Sequence, residues 1–198
     1  MITNEEAVNI FNGFFEQIIK PYRHKADNIY KDKGNGEYGY HINRYFGHVF
    51  SYMLEHNLNS IVDLGAGVGH GIEILKIFGY KVKGFENEDQ LIQENANIFG
   101  KKVGMNKFGS VTIEKKDLRN LNKSDIEGFE IIYMWQPFKD KELLNSFLSK
   151  VINMIDSNQT ILFRKSNQKY YDGDNPFYLQ QFTDKEIKMH ETLEVLKK

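Results

Sequence analysis

The alternation of short apolar runs with helical patterns, which begins at residue 60, constrains the fold more than any other feature of the sequence. Strands separated by helices form parallel sheets, because each helix carries the chain back to the start of the next strand. This pattern therefore predicts an α/β fold with a doubly wound, mostly parallel sheet. The apolar runs predicted as strands span residues 60–64, 82–86, 111–114, 130–134 and 160–163.

The C-terminal part of the chain has a different pattern. Residues 177–183 and 187–195 are predicted to form two more strands, paired antiparallel through a turn at Asp184 and Lys185, which gives a seven-stranded sheet. A helix over the last stretch is the alternative, since Glu, Lys and Leu favour helices.

An amphipathic helix is predicted at the N-terminus. Thr3 and Glu6 form a capping-box pattern, and Pro21 ends the helix. Apolar residues recur at helical spacing, at Val8, Phe11, Phe15 and Ile18.

A second helix is predicted over residues 42–57, after a glycine-dotted, aromatic loop over 22–40. We expect residues 1–58 to form a helical segment that acts as a lid, and residues 59–198 to form the α/β domain. Glycines 34, 36 and 39 would permit hinge motion, and a disordered linker is the alternative.

The composition excludes several classes of function. The chain has no cysteine, which excludes disulfide scaffolds, thiolate metal sites and cysteine nucleophiles. Lys and Arg number 26 against 27 for Asp and Glu, a balance that disfavours a strongly electrostatic nucleic-acid binder. Neither an apolar run of about 20 residues nor a basic leader is seen, so we expect a cytoplasmic protein without membrane contact.

A glycine-rich turn follows the first predicted strand, and a helix follows the turn. Its pattern is D-x-G-x-G-x-G, formed by Asp63, Gly65, Gly67 and Gly69. The dinucleotide fingerprint G-x-G-x-x-G fails in both registers, at His70 and at Ile72. No Gly-Lys-Ser or Gly-Lys-Thr follows, so the phosphate-binding P-loop pattern is also absent. A plain tight turn is the structural alternative.

This pattern resembles motif I of the class I S-adenosylmethionine-dependent methyltransferases, and the resemblance covers about residues 60–165. It implies a Rossmann-like fold and S-adenosylmethionine as the cofactor, with Glu86 on the ribose hydroxyls and Asp117 and Leu118 at the adenine. The cofactor-binding residues that it implies are Asp63, Gly65, Ala66, Gly67, Gly69, Glu86, Asn87, Asp117, Leu118 and Trp135. No metal is implied.

The segment after the fourth strand reads Trp135-Gln136-Pro137-Phe138. In the family this segment borders the transferred methyl group, so Trp135, Gln136 and Phe138 are the catalytic candidates. Amino-nitrogen methyltransferases often have Asp or Asn, Pro, Pro and an aromatic residue here, and only the second Pro and the aromatic match. Packing of the aromatic side chains under a loop is the alternative.

The resemblance predicts direct in-line methyl transfer to a small molecule or a protein side chain. A nucleic-acid N-methyltransferase and a non-catalytic cofactor-binding module are the alternatives. An acceptor that needs a general base has three candidates for it, His41, His70 and Asp140.

Overall fold

The computed structural model describes residues 2–19, 38–102, 112–135, 137–138, 140–164, 179–190 and 193–197. Its centre is a seven-stranded mixed sheet in the order β3-β2-β1-β4-β5-β7-β6. The strands are β1 (Ser60–Leu64), β2 (Lys81–Glu86), β3 (Ile113–Lys115), β4 (Ile131–Trp135), β5 (Thr160–Arg164), β6 (Ile187–His190) and β7 (Leu193–Lys197).

The first five strands are parallel, and β7 runs antiparallel to both β5 and β6. The predicted α/β class and the number of strands are therefore confirmed. The sheet is mixed because the C-terminal hairpin supplies its last two strands.

Six α-helices are described, along with shorter π and 3₁₀ turns. They are α1 (Asn4–Phe14), α2 (Tyr38–Glu55), α3 (His70–Ile77), α4 (Asp89–Asn95), α5 (Lys123–Ile126) and α6 (Lys141–Met154). Helix α2 begins four residues before the predicted start at residue 42, so the loop expected over 22–40 does not extend as far as Tyr38. Helix α4 is followed directly by a π-helical stretch at Ala96–Lys102.

The prediction for the C-terminal strands is partly wrong. Leu179–Phe182 forms a 3₁₀ turn in place of a strand, and the backbone amide of Leu179 donates a 2.7 Å hydrogen bond to the buried Glu194 carboxylate. The single strand predicted over 187–195 is two strands, β6 and β7, that pair with each other. Apolar residues recur at alternate positions on both sides of this reversal, at Ile187, Met189, Leu193 and Val195, so periodicity alone did not reveal it.

Helix α1 begins as the sequence predicts. The amide of Glu6 donates to Oγ1 of Thr3 at 3.2 Å, and the amide of Thr3 donates to the Glu6 carboxylate at 2.7 Å. Phe11 of α1 is fully buried, and its ring stacks on Phe46 of α2 with ring centroids 6.1 Å apart. Phe46 in turn meets Tyr133 of β4 at 4.8 Å, so both helices share a core with the sheet. The predicted end at Pro21 and residues 22–37 lie outside the described residues.

Both faces of the sheet are covered, as a doubly wound fold requires. The first face packs against α1, α2 and α3, and the second against α6. Because side chains alternate along a strand, Asp63, Tyr133, Trp135 and Arg164 lie on the first face by strand register.

Candidate functional site

The turn between β1 and α3 depends on glycine at three positions. Gly65, Gly67 and Gly69 have φ values of 92°, 59° and 72°, a region that side chains with a Cβ rarely adopt. The amides of Gly65 and Ala66 both donate to the carbonyl oxygen of Phe85, at 3.0 and 2.9 Å. The turn is thereby held against the end of β2, with α3 starting immediately after it.

Two other segments close around this turn. A Cβ built on Gly65 would lie 3.1 Å from Cβ of Pro137 and 4.0 Å from Cδ1 of Leu118. The fold therefore brings together the glycine turn, the turn after β3 and the segment after β4. Ligands in open α/β sheets bind at this edge, beyond the carboxyl ends of the strands.

Glu86 lies at the end of β2 and connects it to the glycine turn. Its Oε2 accepts a hydrogen bond from the Gly67 amide at 2.9 Å, and its Oε1 accepts from the amides of Asn87 and Glu88 at 2.7 and 3.0 Å. A carboxylate offers about four acceptor positions, so one remains for a further donor. The sequence did not indicate this second role, in which Glu86, the residue expected to bind the ribose, also stabilises the loops beside it.

Asp63 is a buried carboxyl group beside the turn, with only 4% of its surface exposed. Burial raises its pKa well above the ordinary value for aspartate, and the nearby charge of Glu86 raises it further. Such a carboxyl group ionises readily only when a cationic group pairs with it.

A buried polar cluster, which the sequence did not predict, packs against the glycine turn. Nδ2 of Asn95 donates to the carbonyl oxygen of Val68 at 2.9 Å and to Oε1 of Glu73 at 3.1 Å. Burial raises the pKa of Glu73, although the hydrogen bond from Asn95 opposes this shift. The sequence gives no sign of these contacts, because Asn95 lies 27 residues from Val68.

Asp117 and Leu118 lie in the turn after β3, and their side chains make different contacts. Asp117 accepts hydrogen bonds from the backbone amide of Arg119 at 3.0 Å and from its Nε at 2.9 Å, and these bonds lower the pKa of Asp117. The Asp117 carboxylate is thus engaged in its own turn. Leu118 is buried in the core on the α6 side, with its Cδ1 close to Gly65.

The segment after β4 brings aromatic side chains to the same edge. The guanidinium carbon of Arg164 lies 5.1 Å from the centre of the Trp135 ring. Phe138 packs edge-on against Phe147 of α6, with ring centroids 5.1 Å apart. Gln136 lies outside the described residues. Arg164 was not singled out from the sequence, although a charged residue at the carboxyl end of a buried strand is a signal that could have found it.

Two of the three candidate bases have structural contacts. His70 is 2% exposed, and its ring lies 6.0 Å from the rings of both Phe15 and Phe99. Asp140 caps α6 by accepting a 2.7 Å hydrogen bond from the Leu143 amide. The side chain of His41 lies outside the described residues.

The described residues contain neither a metal-binding cluster of side chains nor a membrane-spanning helix. No group of three or more His, Asp or Glu side chains among them is placed to hold a metal ion. None of their helices combines the length and the apolar character that crossing a bilayer requires.

No protein-family model matches the sequence, and no curated protein does. Solved structures match at low sequence identity. Magnesium protoporphyrin IX methyltransferase from Synechocystis PCC 6803 aligns over 97% of both chains, with a TM-score of 0.59 and 14% identity. A methyltransferase from Clostridium acetobutylicum ATCC 824 that depends on S-adenosylmethionine aligns over 71% of this chain, with a TM-score of 0.51 and 20% identity.

The methyltransferase domain of bacterial CtHen1-CN gives a TM-score of 0.50 at 14% identity, over 68% of this chain and 74% of that one. The present chain spans only 56% of the Clostridium structure. These similarities show that the chain has the fold of class I S-adenosylmethionine-dependent methyltransferases.

Proposed function

We propose that this protein is a methyltransferase that uses S-adenosylmethionine to methylate a small molecule or a protein side chain. One observation carries the proposal. A turn with three glycines at positive φ lies at the end of the central strand β1, hydrogen-bonded to Glu86 at the end of β2 and adjacent to the buried Asp63.

The residues at this turn fit the chemistry of that cofactor. Glu86 retains an acceptor position for ribose hydroxyl protons, and the carboxyl group of Asp63 matches the cationic amino group of the methionine part. Gly65 and Gly67 carry no side chain and Ala66 carries only a methyl group, so a ligand can approach the backbone of this turn closely. The other proposed binding residues are Gly69, Asn87, Asp117, Leu118 and Trp135.

When bound, the cofactor supplies a sulfonium-activated methyl group. The protein then has to hold the acceptor about 3–3.5 Å from that methyl group and in line with it, which can provide most of the rate acceleration. We assign this positioning to Trp135, Gln136 and Phe138, because Pro137 between them lies against Gly65 of the turn.

Two other functions are supported by specific observations. A non-catalytic cofactor-binding module is favoured by the intramolecular contacts of Trp135 with Arg164 and of Phe138 with Phe147. A nucleic-acid N-methyltransferase is favoured by the partial match of Trp135–Phe138 to the amino-nitrogen pattern, but the net charge of −1 opposes it.

Titration of the purified chain with S-adenosylmethionine, with NADH as the control ligand, tests the cofactor assignment. We expect saturable binding of S-adenosylmethionine and of its demethylated product, with no competition from NADH. Transfer of a labelled methyl group into protein, small-molecule or nucleic-acid fractions then distinguishes an enzyme from a binding module. Absence of S-adenosylmethionine binding would contradict the proposal.

A further inference from the structure

Three side chains at the carboxyl ends of β4 and β5 form a cluster that the proposed function does not fully use. We call Tyr133, Trp135 and Arg164 the β4–β5 cluster. Trp135 and Arg164 are register partners on neighbouring strands, and Tyr133 lies two residues before Trp135 on the same face. The cluster thus adjoins the segment proposed to border the transferred methyl group.

Arg164 is a charged side chain in a buried place. Only 9% of its surface is exposed, and its guanidinium group lies over the Trp135 ring at 5.1 Å. A guanidinium group presents five N–H donors in a planar fork, which matches the oxygens of a carboxylate or a phosphate. Contact with the Trp135 ring restricts the movement of the Arg164 guanidinium group, so less conformational freedom is lost when an anion binds.

Tyr133 adds a second donor. Its side chain is 2% exposed, and its hydroxyl has no hydrogen-bond partner among the described residues. A buried hydroxyl without a partner is unusual in native proteins and calls for an explanation. Burial raises the pKa of Tyr133, so the hydroxyl stays protonated and can donate to an anion.

The strand order places Arg164 farther from the proposed cofactor turn than Tyr133, which is the register partner of Asp63 on β1. Arg164 lies on β5, and β4 stands between β5 and the strand β1 that leads into the glycine turn. With strands about 4.8 Å apart, the backbone of Arg164 is roughly 10 Å from that of β1. A molecule bound beside Trp135 would therefore have the cofactor turn on one side and Arg164 on the other.

We propose that the β4–β5 cluster binds a carboxylate or phosphate group of the methyl acceptor, so the natural acceptor is an anion that is methylated at a different atom. The inference rests on the proposed methyltransferase function. It predicts that Arg164 binds the charged group of the acceptor and that the Tyr133 hydroxyl donates a further hydrogen bond to that group.

The experiment uses the full chain and a methyl-labelled cofactor with fractionated cell extract, and it follows the product on an anion-exchange column at neutral pH. We expect the labelled product to be retained as an anion. Arg164→Gln should slow its formation by about 10²-fold, while affinity for S-adenosylhomocysteine stays within about threefold. Lys188→Gln is the matched control, because this exposed lysine on β6 carries the same charge away from the site.

A second measurement distinguishes binding of the acceptor at Arg164 from binding of the cofactor's own carboxylate there. S-adenosylhomocysteine carries a carboxylate, whereas methylthioadenosine lacks the amino-acid part. A loss of affinity in Arg164→Gln for the first compound and not for the second would place the cofactor carboxylate at Arg164 and overturn the proposal. A neutral or cationic main product would overturn it as well.

A third measurement needs no variant, in case Arg164→Gln fails to fold. Benzoate and phenyl phosphate should raise the melting temperature of wild-type protein saturated with S-adenosylhomocysteine, whereas benzamide and phenol should not. If benzoate and benzamide raised the melting temperature equally, and phenyl phosphate and phenol did so too, the anion site would be contradicted. If S-adenosylhomocysteine binds but no methyl group is transferred, the proposed catalytic function fails, and this measurement still decides whether an anion binds.

Discussion

The backbone amide of Gly67 donates a 2.9 Å hydrogen bond to the carboxylate of Glu86, which joins the glycine turn to the end of β2. Glu86 also accepts hydrogen bonds from the amides of Asn87 and Glu88. One side chain therefore fixes the shape of two loops at the proposed cofactor site. Changes at Glu86 should affect ligand affinity and stability together.

Glu86→Ala should weaken S-adenosylmethionine binding at least tenfold and lower the free energy of unfolding by roughly 1.5–3 kcal/mol, since three amide donors lose a charged acceptor. Calorimetric titration and urea unfolding measure the two effects. Glu114→Ala is the control, because that carboxylate is 55% exposed in a surface ion pair with Lys83 on the neighbouring strand. Unchanged affinity in Glu86→Ala would mean that Glu86 serves only as a loop cap.

Gly67→Ala should abolish most cofactor binding at a modest cost in stability. Gly67 has a φ of 59°, which costs about 1–2 kcal/mol for a residue with a Cβ. Gly79→Ala is a matched control, because its φ is 90° and a Cβ there meets no atom within 4 Å. Both variants should lose similar stability, and only Gly67→Ala should lose affinity, by at least tenfold. Equal affinities would show that the turn does not face the cofactor.

The sequence was sufficient to predict the parallel part of the sheet and the position of the glycine turn. Both depend on local patterns, namely buried apolar runs and glycines at alternate positions. The C-terminal hairpin was misplaced because its turn carries no glycine or proline, and the alternating apolar residues before the turn keep the same two-residue spacing after it.

The contacts at the site were harder to predict, because they join residues that are distant in sequence. The side chain of Asn95 donates a hydrogen bond to the carbonyl oxygen of Val68, and the guanidinium group of Arg164 lies over the Trp135 ring on the neighbouring strand. Asp117 illustrates another difficulty, since its partner Arg119 lies two residues away and competes for the carboxylate. Sequence spacing indicates which residues lie at the carboxyl edge of the sheet. Which hydrogen-bond partner each of them takes depends on the folded geometry.

Asp63 should make stability depend on pH in a defined direction. Its pKa is raised in the folded protein by burial and then by Glu86, so the folded state holds a proton that the unfolded state has released. The contribution of Asp63 to stability is therefore present below the ordinary aspartate pKa of about 3.9, and it is lost as pH rises through the folded pKa.

We accordingly expect Asp63→Asn to be more stable than wild type at neutral pH, with the difference shrinking toward pH 4. Melting temperatures measured across this range test the prediction. Asp89→Asn is the control, since Asp89 is 72% exposed in a surface ion pair. A stability difference that grows as pH falls would have the wrong sign and would contradict the raised pKa.

Tyr133→Phe removes a buried hydroxyl that has no hydrogen-bond partner among the described residues, and it keeps the ring against Phe46. An unsatisfied buried polar group costs about 1–3 kcal/mol, so the variant should be as stable as wild type or more stable. Urea unfolding without ligands measures this. A loss above about 1 kcal/mol would show that the hydroxyl is satisfied in the free protein.

Trp135 should contribute to methyl transfer more than to cofactor affinity. It lies at the end of β4 beside Arg164, and the acceptor arrives separately from the cofactor. Trp135→Ala should keep affinity for S-adenosylmethionine within a few fold and lower the single-turnover transfer rate by about 10²-fold, the scale for a misplaced reacting group. Loss of the ring above Arg164 should also cost about 0.5–2 kcal/mol of stability.

Gln136→Ala should likewise lower the rate of methyl transfer and leave the affinity for S-adenosylmethionine nearly unchanged. It should not cause the loss of stability expected when the Trp135 ring is removed. Met189→Ala is the control, because Met189 is 49% exposed on β6 and should change neither affinity nor rate. Binding and single-turnover transfer have to be measured on the same preparations, since a partly unfolded sample would lower both. Parallel losses in affinity and rate would place Trp135 and Gln136 against the cofactor, and they would leave positioning of the acceptor to residues other than these two.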